Sequence, residues 1–231
     1  MDEKANRFLT AFNKIEKHLE AKLGNKGKMP FFRMIEEIKS KSAIIRRYEI
    51  ELKEFGNLRN AIVHSYSDSK VIAIPIEETV NKIEDIEMKI SKPRKVGDLF
   101  SCEVVSTGLE NYLSDVLPVM KNSFISQIPV VDQGEVVEVL NTNTIARWLA
   151  DQEIVAPEET KIKDLLSWIE FEKSFRFVKS GTDIYMAAEK FRYKNDERFF
   201  IDALFITQDG TNNDDLKGII SLSDLSKEKV L

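Results

Sequence analysis

Arg59, Asn60 and His64 stand close together in the stretch GNLRNAIVHS, residues 56–65. An imidazole exchanges a proton near neutral pH, a guanidinium is a permanent cation, and an amide can orient either. Those are the materials for acid–base work beside an anion. They are equally the materials of a polar helix end, where a cationic side chain favours the helix dipole. Asn60 lies one turn before His64 and shares its face. Arg59, five residues back at about 100° each, lies about 140° around the helix from His64.

The elements that must hold this set are helical. Phe8, Phe12, Ile15, Leu19 and Leu23 fall three and four apart and define a first helix. His18 lies among them and reads as a packed or half-exposed helix residue, not a second base. Gly24, Gly27 and Pro30 break the pattern, and Pro30 opens a second helix through Phe31, Met34, Ile35 and Ile38. A third helix is expected from Ile44 to Val63. A fourth follows Pro75, with Val80, Ile83, Ile86 and Ile90 on one face. Four helices with short connections predict an antiparallel bundle over residues 1–91.

After SKPRK, residues 91–95, the period changes. A repeat of about 65 residues begins at KVGDLF (95–100) and again at KIKDLL (161–166). Strands are expected at 102–106 and 175–179, and helices at 113–121 and 183–191. Apolar strands ending in Asp follow at 128–132 and 203–209. VVEVLNTNTIARWL (136–149) and LKGIISLSDLSKEKV (216–230) each add a strand and a closing helix. Each copy therefore reads β-α-β-β-α, and neither is large enough to stand comfortably alone. The fold class expected is α+β in two domains, residues 1–91 and 92–231, with repeats over 92–153 and 158–231.

Composition sets the outer limits. The chain is 42% hydrophobic and 32% charged with few Gly and Pro, so it can bury a core. No apolar run approaches the roughly 20 residues needed to cross a bilayer. MDEKANRFL is charged and lacks the apolar run of a signal peptide. Cys102 is the single cysteine, which excludes an internal disulfide and fits a cytoplasmic location. It begins an apolar run and is expected to be a buried, inert thiol. With two histidines beside it, a transition-metal enzyme is disfavoured and no metal site is expected. Trp148 and Trp168 are expected to pack beside the inter-repeat linker. Residues 1–92 carry 18 Lys and Arg against 15 Asp and Glu, while the remainder carries 16 against 24. Only the first part could favour a polyanion.

QIPVVDQGEVVEVL and LKGIISLSDL resemble the core of the cystathionine-β-synthase (CBS) domain, arranged here as a tandem pair. The resemblance implies a regulatory module, often a homodimer, that takes AMP, ADP, ATP or S-adenosylmethionine between the repeats. The family motif is Gly-x-x-Ser/Thr-x-x-Asp at the last strand-to-helix turn. Gly218, Ser221 and Asp224 match it in the second repeat. A carboxylate can accept both ribose hydroxyls, a helix start meets phosphate, and glycine lets backbone come close. The first repeat departs from the motif, with Glu138 at the glycine, Asn141 at the hydroxyl and Thr144 at the carboxylate. One competent cleft at most is therefore expected, centred on Ser221 and Asp224 and walled by Val104, Val105, Phe177 and Val178. The same residues also serve as ordinary N-caps, so a packing module without ligand stays open.

The helical half, with Arg59-Asn60-x3-His64 near the end of its third helix, resembles the HEPN superfamily. That resemblance implies metal-independent RNA cleavage, in which a 2′-hydroxyl attacks the neighbouring phosphate and leaves a 2′,3′-cyclic phosphate. His64 would move the proton, Arg59 would hold the phosphoryl charge, and Asn60 would orient either one. No cofactor is required. Joined, the two resemblances imply a ligand-gated ribonuclease. The alternative is a non-catalytic sensor or dimeric scaffold whose bundle binds a protein partner.

Overall fold

The computed structural model describes residues 2–24, 29–67, 73–191 and 201–230, with residues 64–67 described in backbone only. The chain divides into two compact units, 1–94 and 95–231.

The first unit is helical: α1 (Glu3–Lys22), α2 (Phe31–Lys39), α3 (Ala43–Arg47), α4 (Glu49–Ser67) and α5 (Glu77–Ser91). Asp2 caps α1 by accepting from the amides of Lys4 and Ala5 at 2.9 and 3.3 Å. The apolar positions read from the sequence are the buried ones, Phe8, Phe12, Ile15 and Leu19 on α1 and Val80, Ile83, Ile86 and Ile90 on α5, except Leu23, which caps α1 and is partly buried. The expected third helix is two helices. Tyr48, at φ −101° and ψ 19°, breaks it. The apolar spacing runs on across the break, so periodicity does not reveal it.

Ion pairs fix the helix directions. Glu36 and Lys39 of α2 pair with Lys53 and Glu49 of α4, so these two are antiparallel. Lys82 of α5 pairs with Glu51 of α4, and Lys89 sits 5.7 Å over the Tyr48 ring, so α5 also opposes α4. Arg7 reaches Glu77 and Glu84 while Lys14 reaches Glu87, so α1 and α5 run parallel. The expected antiparallel order fails for that pair. Faces read from periodicity carry no direction, and short connections do not compel alternation.

The second unit holds two matching three-stranded sheets. In order along the chain it contains α6 (Val96–Phe100), β1 (Thr107–Gly108), α7 (Leu113–Ser123), β2 (Gln127–Asp132), β3 (Glu135–Asn141) and α8 (Thr142–Ala150). Then come α9 (Ile162–Leu165), β4 (Phe175–Lys179), α10 (Ile184–Lys190), β5 (Ala203–Thr207), β6 (Gly218–Ile220) and α11 (Leu222–Lys227). β1 runs parallel to β2 and β4 to β5, whereas β2–β3 and β5–β6 are antiparallel.

Each repeat lends its leading segment to the other. The amides of Val96 and Gly97 donate to the carbonyls of Thr182 and Ser180, and that of Cys102 to Lys217. The amides of Ile162 and Lys163 donate to Asn111 and Leu109 in the same pattern. Lys161 and Lys163 also bind Glu110 and hold its carboxyl down to about 2. That contribution is present above the ordinary glutamate range and is lost as pH falls toward 2. This exchange corrects two expectations. Residues 102–106 form no strand of the first sheet, because Ser101 and Cys102 pair beside β6 instead. Cys102, at that margin, is exposed and not buried.

One core cluster joins Leu113, Val116, Ile128, Leu140 and Trp148 of the first repeat to Ile162 and Leu165, with Trp168 against it. A second cluster joins Val136 and Val139 of β3 to Phe175, Ala203 and Phe205 of the second repeat. The repeats are thus held face to face by apolar packing.

Candidate functional site

The turn between β6 and α11 brings Ser221 and Asp224 together. The Ser221 amide donates to Asp224 Oδ2 at 2.9 Å and its hydroxyl donates to the same oxygen at 2.7 Å. The Asp224 amide returns a bond to Ser221 Oγ at 3.4 Å, completing a capping box. Asp224 Oδ1 lies 3.7 Å from Lys227 Nζ. Gly218 has a different task. A Cβ built on it would meet the Phe100 carbonyl oxygen at 2.2 Å, so the backbone approaching this glycine is the chain's own.

The first repeat builds the same turn with other groups. Asn141 caps α8 by accepting from the Thr144 amide at 2.8 Å and from its hydroxyl at 3.1 Å. Thr144 is buried. Glu138, at the glycine position, is buried too, and its carboxylate accepts from the Lys173 amide at 2.9 Å. The glutamate thus binds the chain leading into the second repeat, at the position where Gly218 admits Phe100 of the first repeat's leading segment.

Among the described residues, clefts lie between the repeats at two places considered in turn. One, of about 470 Å³, is bounded by the hairpin turn at Gln133–Glu135, the loop at Asn212–Asp215, and Val104. Asn212 clasps β3 across it, donating to the Val136 carbonyl at 3.0 Å and accepting from its amide at 2.9 Å. The other, of about 260 Å³, lies at the start of α8, between Asn141 and Asn143 on one side and Phe171 and Asp202 on the other. Neither is lined by Ser221 or Asp224. Of the four expected wall residues, Val104 lines the larger cleft, Val105 is exposed, and Val178 is buried in the core. Phe177 packs edge-on against Phe175 at 5.8 Å. Asp202 was not foreseen. It accepts from Asn141 Nδ2 at 3.0 Å and from the Ser174 hydroxyl at 2.7 Å, so a carboxylate does stand beside the first-repeat turn, supplied by the other repeat. Nothing local in the sequence marks it, since 61 residues separate it from Asn141.

In the helical unit, α4 continues unbroken through position 64 to Ser67. Arg59 Nη1 donates to Asn60 Oδ1 at 3.3 Å. The guanidinium therefore reaches around toward the face that Asn60 shares with position 64. The His64 side chain lies outside the described residues. His18 is half-buried, and its Nε2 is buried without a hydrogen bond among the described residues. Its pKa is pushed down, first by burial and then by Lys22. Among the described residues, no group of three or more His, Cys, Asp and Glu is placed to hold a metal ion, and no helix is long and apolar enough to cross a membrane.

Comparison with curated proteins finds no match. Among solved structures, the CBS domain pair of protein MJ0100, in complex with 5′-methylthioadenosine and S-adenosyl-L-methionine, is 16% identical. It covers 59% of this chain and 96% of its own, at a TM-score of 0.44. The CBS-domain protein ATU1752 from Agrobacterium tumefaciens is 18% identical, over 59% of this chain and 99% of its own, at 0.41. The CBS domain of a membrane protein from Sphaerobacter thermophilus is 20% identical, over 59% and 88%, at 0.41. The CBS domain model matches residues 96–151 and 169–230, repeat for repeat with the two sheets, and more than half of the chain in all. The chain belongs to the CBS domain family.

Proposed function

We propose that the chain is a regulatory sensor in which the CBS pair takes an adenosine-containing ligand and thereby controls the helical unit. The observation that carries this is the β6–α11 turn, where Gly218, Ser221 and Asp224 stand at the family's motif positions with hydroxyl and carboxylate in contact. The capping box holds both groups at a helix start, and a ligand with ribose hydroxyls would compete for the same carboxylate. Control requires that the ligand bind two arrangements of the pair with different affinity. Calorimetry with AMP, ADP, ATP and S-adenosylmethionine tests this. Saturable binding of at least one is expected, weakened about tenfold or more by Asp224→Asn, since a charged hydrogen bond is lost. A flat titration across the whole panel would sink the proposal.

A second reading is favoured by the Arg59–Asn60 contact: the helical unit is a HEPN-type ribonuclease acting as a homodimer in the cytoplasm. In the reaction, His64 takes the proton of a 2′-hydroxyl, the 2′-oxygen bonds to phosphorus, and the bond to the 5′-oxygen breaks. Arg59 holds the charge on the phosphoryl oxygens, and the departing 5′-oxygen regains a proton. Purified chain should cleave single-stranded RNA to 2′,3′-cyclic ends, and Arg59→Ala or His64→Ala should each lower the rate at least a hundredfold. Nucleotide binding without any cleavage would instead assign the unit to docking a protein partner.

A further inference from the structure

The start of α2 lays two aromatic rings against α4, next to the Arg59–Asn60 contact. A Cβ on Gly56 would lie 3.0 Å from Phe32 Cζ and 3.2 Å from Phe31 Cδ1, so both rings rest on bare helix backbone. Glycine is a poor residue inside a helix, and here its missing side chain makes room for those rings. Phe31 turns inward and meets the Phe12 ring at 4.4 Å. Phe32 stands edge-on to Phe31 at 6.2 Å and stays partly open to solvent. The rings form a series from the core to the surface, and Phe32 is its outer member. The same contacts set the register of the two helices. Phe32 lies opposite Gly56, Glu36 opposite Lys53 and Lys39 opposite Glu49. Asn57 therefore lies level with the first residue of α2, and Arg59 and Asn60 lie just beyond it. Arg33 is exposed and makes no ion pair among the described residues. Further along the seam the charges are neutralised, since Glu36 and Glu49 share Lys39 and Lys53. The open end of the seam is left with an aromatic ring between two cations, Arg33 and Arg59.

We infer, resting on the ribonuclease reading for the class of ligand, that Phe32 and Arg33 form a subsite for single-stranded RNA, in which one unpaired base stacks on the Phe32 ring and Arg33 holds the adjoining phosphate. Stacking on a ring accepts any base, because each has a π face, so the subsite selects strand form and not sequence. A duplex keeps its bases stacked on one another and offers none to a side ring. Arg33 carries the permanent charge that a phosphate needs and, among the described residues, gives up no carboxylate to bind it. The exposed amides of Asn57 and Asn60 border the ring and can donate to the base edge or the sugar. Position 64 lies eight residues beyond Gly56, about 12 Å along α4. The stacked nucleotide is thus a neighbour of the reacting one. Phe32 and Arg33 are positioning residues that lay the strand across Arg59, and they take no part in proton transfer.

The test is fluorescence anisotropy of a labelled oligouridylate with the full chain carrying His64→Ala, which on the ribonuclease reading binds without cutting. Adding Phe32→Leu should weaken binding about tenfold and leave its salt dependence unchanged. Adding Phe32→Trp should leave binding at least as tight as in the parent. Adding Arg33→Gln should weaken binding and lower the slope of log K against log salt by about 0.7, the value of one single-strand phosphate contact. A merely structural defect would not divide the two residues between affinity and salt slope in this way. An RNA duplex of equal length should bind more weakly than the single strand. Cleavage by the chain with His64 intact, together with Phe32→Leu and Arg33→Gln chains that bind like their parent, overturns the subsite and leaves the ribonuclease standing. Binding that depends on both residues, without cleavage by the chain with His64 intact, upholds the subsite and removes the catalyst. A parent that binds no oligouridylate overturns the subsite, and absence of cleavage as well overturns both. Equal affinity for duplex and single strand overturns the stacking assignment.

Discussion

Gly218→Ala is expected to destabilise the CBS pair by about 3 kcal/mol or more, at the upper end for overpacking. The cause is contact, not backbone conformation. A Cβ at this position would lie 2.2 Å from the Phe100 carbonyl oxygen and 3.1 Å from Ile206 Cδ1. Flexible side chains can yield, but the nearest atom here is backbone. Three bonds also hold the intruding segment in place. Cys102 donates to Lys217, beside the bridge between Ser101 and Gly218, Gly97 donates to Ser180 and Val96 donates to Thr182, each at 2.9 Å. Relief therefore requires moving the leading segment off β6 and forfeiting part of that ladder, at about 1 kcal/mol per bond. Gly181→Ala is the control, since a Cβ there meets nothing within 4 Å and its φ is not left-handed. It should be neutral or slightly stabilising through the unfolded chain. Urea melts followed by circular dichroism separate the two. A Gly218→Ala chain melting with the parent would mean that the leading segment does not sit against β6.

That glycine shows where sequence and structure part. The motif Gly-x-x-Ser-x-x-Asp was legible, and so was the turn that carries it. What the glycine touches was not, because the contact comes from a segment that reads as part of the other repeat. The same exchange explains Glu138. As a departure from a motif it signals a lost site, whereas in the structure its carboxylate binds the Lys173 amide and joins the repeats. From the first strand onward, strand and helix order in both repeats followed from period and turn residues, whereas the short leading helices α6 and α9 were not foreseen. The missing strand at 102–106 and the exposed Cys102 did not, since a β-branched run looks alike whether it pairs within its own sheet or beside a neighbour's. In the helical unit, faces were legible from spacing and directions were not. The parallel run of α1 and α5 rests on Arg7 meeting residues 77 and 84, a long-range pairing that no local pattern encodes. The candidate site divides in the same way. Residues adjacent in sequence, such as Ser221 with Asp224, could be read together. Asp202 with Asn141 could not.

Phe205→Ala tests the packing on which both clefts depend. Phe205 is fully buried on β5, the central strand of its sheet. Its ring lies 5.5 Å from that of Phe175 and 5.8 Å from that of Phe177. Across the interface it shares a cluster with Val136 and Val139 of β3. Truncation removes a large apolar surface and leaves a cavity. Its neighbours are poorly able to fill it, because both phenylalanines sit on β4, whose register with β5 is set by pairing of Phe175 with Ala203 and of Phe177 with residue 205 itself. The expected loss is about 3–5 kcal/mol, the range for burying an aromatic ring and then deleting it. Two compact units need not melt together, so a single transition should not be assumed. The transition that shifts should be the one that a CBS-pair ligand raises. The repeats' apposition adds a sharper requirement. Combined with Val139→Ala, the second change should cost less than it does alone, with a coupling of at least about 0.5 kcal/mol, because both side chains line one cavity. Strict additivity would mean that β3 and β5 do not pack on each other. The pair would then be two neighbouring sheets, with no shared face through which a ligand between them could act.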